Sequence, residues 1–296
     1  MKRSTRKILV WIGAIIVVIG LSFAIKQNVQ YDKGGNENYA LDRKSEAQKN
    51  GILVFCYHRV LQNTPGVQIA RALSNNSQLH DFEVPLNQFK SQMKFLKQHH
   101  IKVISSAEMV KMVNGHKPIK GKYAVLSFDD IDVTTVENAI PVMRKYHYPF
   151  TTFVITGNTG RYREGTQLAT WPEIQRSKRL SGNLMTLGLH TNNMHYLTPQ
   201  LIPIFNLPQN YHRFTVDFGI SKKTMYKKMK VHSNSFAYPY GGGTNRTNDF
   251  LHSQHLSWVA TLDGGVITKK TNLQYTPRMI INSNSWPSIA HWYEKK

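Results

Sequence analysis

A single cysteine, Cys56, among 296 residues leaves no partner for an internal disulfide, so an exported form of this fold has to hold without staples. Cys56 lies in the apolar run Ile52 to Tyr57 and reads as a buried small hydrophobe. Acidic residues are scarce, 17 against 38 Lys and Arg, and the formal charge of +21 points toward polyanions such as nucleic acid, anionic lipid or an anionic cell wall. There is, however, no zinc-finger spacing, no arginine-rich run and no RNA-binding aromatic signature. The basic residues are scattered apart from short clusters such as Lys222-Lys223 and Lys227-Lys228. Those absences argue against nucleic acid as the partner. No internal repeat or low-complexity tract is present either, which leaves one domain after a leader as the expectation.

The leader is legible. Lys2, Arg3, Arg6 and Lys7 precede the uncharged run Ile8 to Ile25, long enough for a membrane-spanning helix and charged like a signal anchor. Positive charge before the span keeps that end in the cytoplasm and sends residues 26 onward outside. Ser22-Phe23-Ala24 is a poor but usable processing site, so a secreted form is the alternative. Residues 26–50 are polar, rich in Gly, Asn and Lys and without periodicity, as a linker would be. The expected division is therefore 1–25 anchor, 26–50 linker and 51–296 folded domain.

Beyond Gly51, strand-like runs fall at 52–57, 101–104, 123–128, 150–156, 184–189, 234–238 and 257–262. Leu86, Phe89, Met93 and Leu96 recur at helical spacing in 86–99, and Ser106 is placed to cap a second helix that Gly115 ends. Strands alternating with helices predict parallel βαβ units. Residues 61–85 and 196–222 are long and weakly patterned, and read as loops over a site.

Four polar segments follow apolar runs, and in a parallel barrel such strand ends open on one face. Ser127-Phe128-Asp129-Asp130 ends the run that starts at Tyr123. Tyr57-His58-Arg59 follows Ile52 to Cys56, His190-Thr191-Asn192-Asn193-Met194-His195 follows Leu184 to Leu189, and Tyr238-Pro239-Tyr240-Gly241 follows Ser235 to Ala237. Adjacent acids point in different directions, so one can bind a metal while the other works as a base; alone, such a pair after a strand is more often a solvated turn. His190 and His195 are five apart, a step that on a helix points the two rings apart, so they share a metal only if the segment is a loop. With Asp130 they would leave open positions on a divalent ion, as hydrolysis requires; as ordinary surface histidines they would hydrogen-bond to solvent.

Taken together, Ser-Phe-Asp-Asp, His-Thr-x-x-x-His, Tyr-Pro-Tyr-Gly and the early Tyr-His-Arg-Val resemble the polysaccharide deacetylases of carbohydrate esterase family 4, and among them the intercellular adhesin biofilm deacetylases. Glu137 to Pro141, Phe153 to Gly157 and Thr276 to Ile281 extend the resemblance from about Gly51 to the C-terminus. It implies a distorted (β/α) barrel and metal-dependent removal of acetyl groups from poly-β-1,6-N-acetyl-D-glucosamine by a domain held outside the cell membrane. Peptidoglycan or β-1,4 chitin-type oligomers are the alternative substrates, and a non-catalytic glycan-binding envelope protein is the rival class.

The resemblance implies roles as well. Asp130, His190 and His195 would bind a divalent metal, be it zinc, cobalt, nickel or iron(II). Asp129 would be the general base and His58 the general acid, with His291 in the C-terminal Ala-His-Trp as a competing acid; a backbone N–H near Tyr240 would meet the oxyanion. Tyr238, Tyr240 and Arg278 are expected along the substrate, although Arg278 reads also as the cation that keeps Asp129 ionised or as a structural ion pair. Trp171, Trp258 and Trp286 are further candidates for stacking on sugar rings, or for the core. The wider family has an arginine in the motif where this chain has Tyr238-Pro239-Tyr240, so the tuning of Asp129 must come from elsewhere.

Overall fold

The apolar run Gly51–Tyr57 is a strand buried along its whole length, as a parallel strand covered on both faces requires. It is β1 of the computed structural model, which describes residues 3–35, 39–74, 76–163 and 165–295 and, within the first helix, the side chains of residues 7–23. The other strands of its sheet are β2 (Lys102–Val103), β3 (Lys122–Phe128), β4 (Phe150–Val154), β5 (Met185–Leu189), β6 (Ser235–Ala237), β7 (Trp258–Ala260) and β8 (Met279–Ile280). Their spatial order is β7-β6-β5-β4-β3-β1-β8, with β2 alongside β3, and every pairing is parallel. Beyond β7, Ala260 bridges to Thr276, just ahead of β8, so the two edges of this parallel half-barrel approach each other.

Alternate residues of β1 serve two clusters. Leu53, Phe55 and Tyr57 pack with Phe89, Met93 and Leu96 of the helix Leu86–Gln98, whereas Ile52 and Val54 meet Val125, Phe153 and Trp258 on the other face. The helix Ser106–Asn114 starts one residue from the expected cap: Ser105 is the N-cap, and its hydroxyl accepts from the Glu108 amide. β1 and β3 run in register until Tyr57 lies opposite Phe128, so His58 and Asp129 leave the sheet side by side.

The two segments expected to be loops carry structure. Within 61–85 the helix Pro65–Leu73 buries none of its residues, and Glu83–Pro85 pairs in parallel with Arg59–Leu61. The larger surprise is a 19-residue helix, Tyr211–Met229, inside and beyond 196–222. Its buried face is Phe214, Asp217, Phe218, Ser221 and Met225, and the two polar members broke the apolar period by which a helix is recognised.

Residues 3–35 form one helix, so its last ten described residues fall where a linker was expected. The chain joins the domain ahead of Gly51: Leu41 is buried, and the Trp292 indole donates to the Gln48 carbonyl. Among the described residues no helix is long and apolar enough to cross a membrane. The expected span, Ile8 to Ile25, lies within the first helix, but the side chains of Ala24 and Ile25 are outside the described set.

Candidate active site

Strand ends carry the polar groups to one face, and the turns that follow them are strained. Asp130, Ile131, Thr191 and Tyr240 all adopt positive φ, between 54° and 66°, without being glycine. Such residues cost about 1–3 kcal/mol each and persist where the surroundings over-determine them. At Asp130 the consequence is directional: the chain turns over after Asp129, and the two neighbouring carboxylates face different partners.

Asp130 faces histidines. Its Oδ1 lies 3.4 Å from His190 Nε2 and 3.2 Å from His195 Nε2, and the two rings are 5.0 Å apart by centroid. The His190–His195 segment is a loop, which lets a five-residue step turn both rings inward. His190 Nδ1 donates to the Ala237 carbonyl at 2.7 Å, leaving a lone pair on Nε2, and the Tyr240 hydroxyl lies 3.2 Å from His195 Nδ1. Burial pushes His190 down to about 4 against the pull of Asp129, so its imidazole is neutral. Burial works to raise Asp130, but His195 and His190 outweigh it and hold the carboxyl below the usual range. Asp130 Oδ1 is buried without a hydrogen bond. A carboxylate and imidazole lone pairs converging at 3.2–3.4 Å fit ligands about 2.0–2.2 Å from one shared divalent ion.

Asp129 faces Arg278 instead. Nη1 and Nη2 donate to Oδ1 and Oδ2, each at 2.7 Å, with the two side chains 0% and 1% exposed. The guanidinium is fixed in turn, through Nε to the Thr261 carbonyl and through Nη1 to the Ser127 hydroxyl. Burial alone would raise Asp129; Arg278, with His190 and His58 behind it, brings the carboxyl down to about 2. The Cys56 thiol lies 3.5 Å from Asp129 Oδ2 and donates to it, and burial pushes that thiol well above its ordinary pKa. Cys56, His58 and Asp129 also cluster within 4.8 Å. A protonated thiol and a carboxylate already forked by arginine make that group unsuited to a metal.

His58 stands between the two halves of the site, its ring 4.7 Å from that of Phe82 and its Nδ1 without a hydrogen bond. Burial lowers its pKa, while Asp129 and Asp130 draw it back up. His291 is exposed on the last helix, Trp286–Glu294, whose Ile289 and Trp292 pack into the main core. Tyr240 reaches His195. Tyr238 does not border the site: it is packed among Phe205, Phe214 and Phe236, with its hydroxyl donating to Asn248, away from the cleft that Asp130 and His195 line. The same holds for Arg278, which is fully buried and spends its donors on Asp129, Thr261 and Ser127. Trp258 is core, and Trp286 packs edge-on against Phe55 and Phe95.

Asp217 went unnoticed in the sequence. From the helix Tyr211–Met229 its carboxylate accepts the backbone N–H of Asn192 at 2.7 Å and of Asn193 at 2.8 Å, clamping the loop between the two site histidines. Ser221, one turn on, donates to the Thr191 carbonyl, and Thr156 bonds both Ser221 and Asn192. Gly157 lets the two loops meet, since a Cβ there would lie 2.5 Å from the Asn192 carbonyl oxygen. The available signal was an acid standing inside an apolar helical stripe.

Three comparisons place this geometry among known proteins. The polysaccharide deacetylase family matches residues 116–257. Over 293 residues, 97% of each chain, the sequence is 25% identical to a poly-β-1,6-N-acetyl-D-glucosamine N-deacetylase of Staphylococcus aureus. It is 26% identical over 289 residues to the protein of the same description from Staphylococcus epidermidis, with 96% of each covered. Among solved structures, IcaB from Ammonifex degensii superposes with a TM-score of 0.73 at 30% identity, over 84% of this chain and 99% of that one.

Proposed function

The chain belongs to the polysaccharide deacetylase family, and from that premise we propose that it hydrolyses the N-acetyl groups of poly-β-1,6-N-acetyl-D-glucosamine, releasing acetate and leaving glucosamine units. The class of reaction, a deacetylase hydrolase, follows from the family. The polymer is suggested by the staphylococcal relatives, which are similar along nearly their whole length. The observation that carries the reading is the pairing of Asp130, His190 and His195 around one point with an arginine-forked Asp129 on the adjoining residue.

In this proposal Asp130, His190 and His195 would hold a divalent metal, zinc, cobalt, nickel or iron(II), which when bound polarises the acetyl carbonyl and acidifies water. Asp129, ionised at neutral pH and aimed by Arg278, takes the proton of the attacking water as its oxygen adds to the carbonyl carbon. The C–N bond then breaks, and His58, which has to take up a proton first because burial lowers its pKa, delivers it to the departing amine; the proton held by Asp129 then replaces it. Backbone near Tyr240 meets the developing oxyanion. Acetate and a free amine balance the addition of one water.

We also propose that the first helix anchors the protein, with the domain outside the cell. Support comes from four cations followed by an apolar run in helical conformation, whose described side chains from Ile8 to Phe23 are exposed. Cleavage near Ala24 would make the same domain a secreted one.

The test is acetate release by the full chain in detergent from β-1,6-linked N-acetylglucosamine oligomers, with chelator and then metal add-back. Chelator-sensitive release supports the reading. Release from β-1,4 oligomers alone moves it to a wall or chitin-type substrate, and silence on both with metal bound makes it a glycan-binding protein.

A further inference from the structure

Strand β4 lies between β3, which delivers Asp130, and β5, which delivers His190. Its own C-terminal turn therefore enters the middle of the site, and the residue it presents there is Asn158. The turn is firm: the Asn158 amide donates to the Ile155 carbonyl, and the Asn158 carbonyl accepts from the Arg161 amide, both at 3.0 Å. The side chain is different. Asn158 is 1% exposed, yet its carboxamide oxygen makes no hydrogen bond.

Burying an amide acceptor without a partner costs about 1–3 kcal/mol, which a fold seldom tolerates without a reason. Among the described residues eleven buried side-chain atoms lack a hydrogen-bond partner, and two of them, Asp130 Oδ1 and Asn158 Oδ1, belong to residues lining one cleft. That cleft has a cavity volume of about 30 Å³, and His195, Arg163, Thr166 and Gln78 complete its polar wall. Its far side is braced, since Thr166 donates to Gln78 Oε1 and Arg59 donates to the Gln78 carbonyl. A space of this size admits a single hydroxyl of a sugar seated at the mouth of the cleft.

We propose that Asn158 is a substrate-positioning residue whose carboxamide hydrogen-bonds a ring hydroxyl of the sugar that carries the scissile acetamide. A carboxamide offers an acceptor beside a donor, and a sugar hydroxyl offers the complementary donor and acceptor on one atom. Asp130 Oδ1 is left unsatisfied for a cation and Asn158 Oδ1 for a neutral hydroxyl. This inference rests on the reaction proposed above but assigns a residue that reaction does not use.

The experiment measures binding rather than turnover. In an Asp129→Asn background of the full chain, the affinity for a β-1,6-linked N-acetylglucosamine pentamer is determined by calorimetric titration, alone and with Asn158→Leu added. The expected result is binding weakened about tenfold, with metal stoichiometry unchanged and Tm unchanged or higher, because an apolar isostere removes a buried unsatisfied group. Asn158→Asp, which keeps an acceptor and loses the donor, should fall between the two, and it carries the test if the leucine variant does not fold. Affinity within twofold of the parent in both variants overturns the proposal. If the wild type releases no acetate while Asn158→Leu still weakens binding, the proposed reaction fails and this assignment stands. Acetate release with binding indifferent to Asn158 is the reverse.

Discussion

Two buried carboxylates each lie against an arginine, one in the site and one on its flank, and they behave in opposite ways. Asp129 meets Arg278 through two aligned hydrogen bonds of 2.7 Å and is brought down to about 2. Glu83, 4% exposed, lies 3.0 Å from Arg71 without hydrogen-bond alignment, and burial raises it to about 7. Burial pushes both acids up, so the difference lies in the cation. Arg278 is fully buried and held in place by Thr261 and Ser127, whereas Arg71 is 21% exposed and turns donors toward the Leu79 carbonyl and Asn63. A nearby charge does not by itself keep a buried acid ionised; a rigid fork with both ends desolvated does.

The largest effects should come from separating Asp129 and Asp130. Asp129→Asn is expected to keep the metal and lose about 10²–10⁴-fold in acetate release, the usual worth of a general base, while Asp130→Ala loses both. Metal analysis of the purified variants beside an acetate assay checks this, and equal metal loss in the two would undo the assignment of roles. Next comes the fork itself. Arg278→Met leaves the Asp129 charge buried and unpaired and should cost about 3–5 kcal/mol in denaturant unfolding, along with activity. A cost below about 1 kcal/mol would mean that Asp129 finds other partners, and the contrast with Glu83 would lose its basis.

Asp217 extends the comparison to an acid that serves backbone amides. Burial raises its pKa although the Asn192 and Asn193 amides oppose the shift. Asp217→Asn replaces one acceptor by a donor against those amides and should loosen the histidine loop, weakening metal binding about tenfold, in line with outer-shell changes elsewhere. A metal titration that cannot tell the variant from wild type would show that Ser221 and Thr156 hold the loop unaided.

These three acids differ in how far the sequence disclosed them. Asp129 and Asp130 were legible because they end an apolar strand, and His58, His190 and Tyr240 because they end others; the parallel half-barrel then brings strand ends together whatever lies between them. Asp217 was not legible, since its partners are backbone amides some 25 residues away and a polar residue in a helical stripe only weakens the periodicity. Tyr238 was placed too close to substrate for a related reason: alternation along a strand end says which residues share a face, but not which face the aromatic core will claim. The pairing of Arg278 with Asp129 joins segments 149 residues apart, a distance that only the closing of β8 onto β1 spans.

The last expected effect is the one that isolates Glu83. Its folded-state pKa, about 7, stands above the ordinary 4.5, so the folded chain holds that proton more tightly than the unfolded chain does. The stability this contributes is complete below about pH 4.5 and is lost as pH rises through about 7. Asp129 has the reverse sign, because its depressed pKa contributes stability above about pH 4 that is lost only as pH falls toward 2, outside this window. His190, lowered by burial, favours folding increasingly as pH rises from about 4 to 6.5, so the wild-type curve alone would blur the two. The difference between wild type and Glu83→Gln removes that overlap: relative to wild type, the variant should gain about 1–3 kcal/mol between pH 5 and pH 8. A difference that stays flat across this range would mean that Arg71 already keeps Glu83 ionised, and that a loose, partly exposed arginine does the work of a rigid buried one.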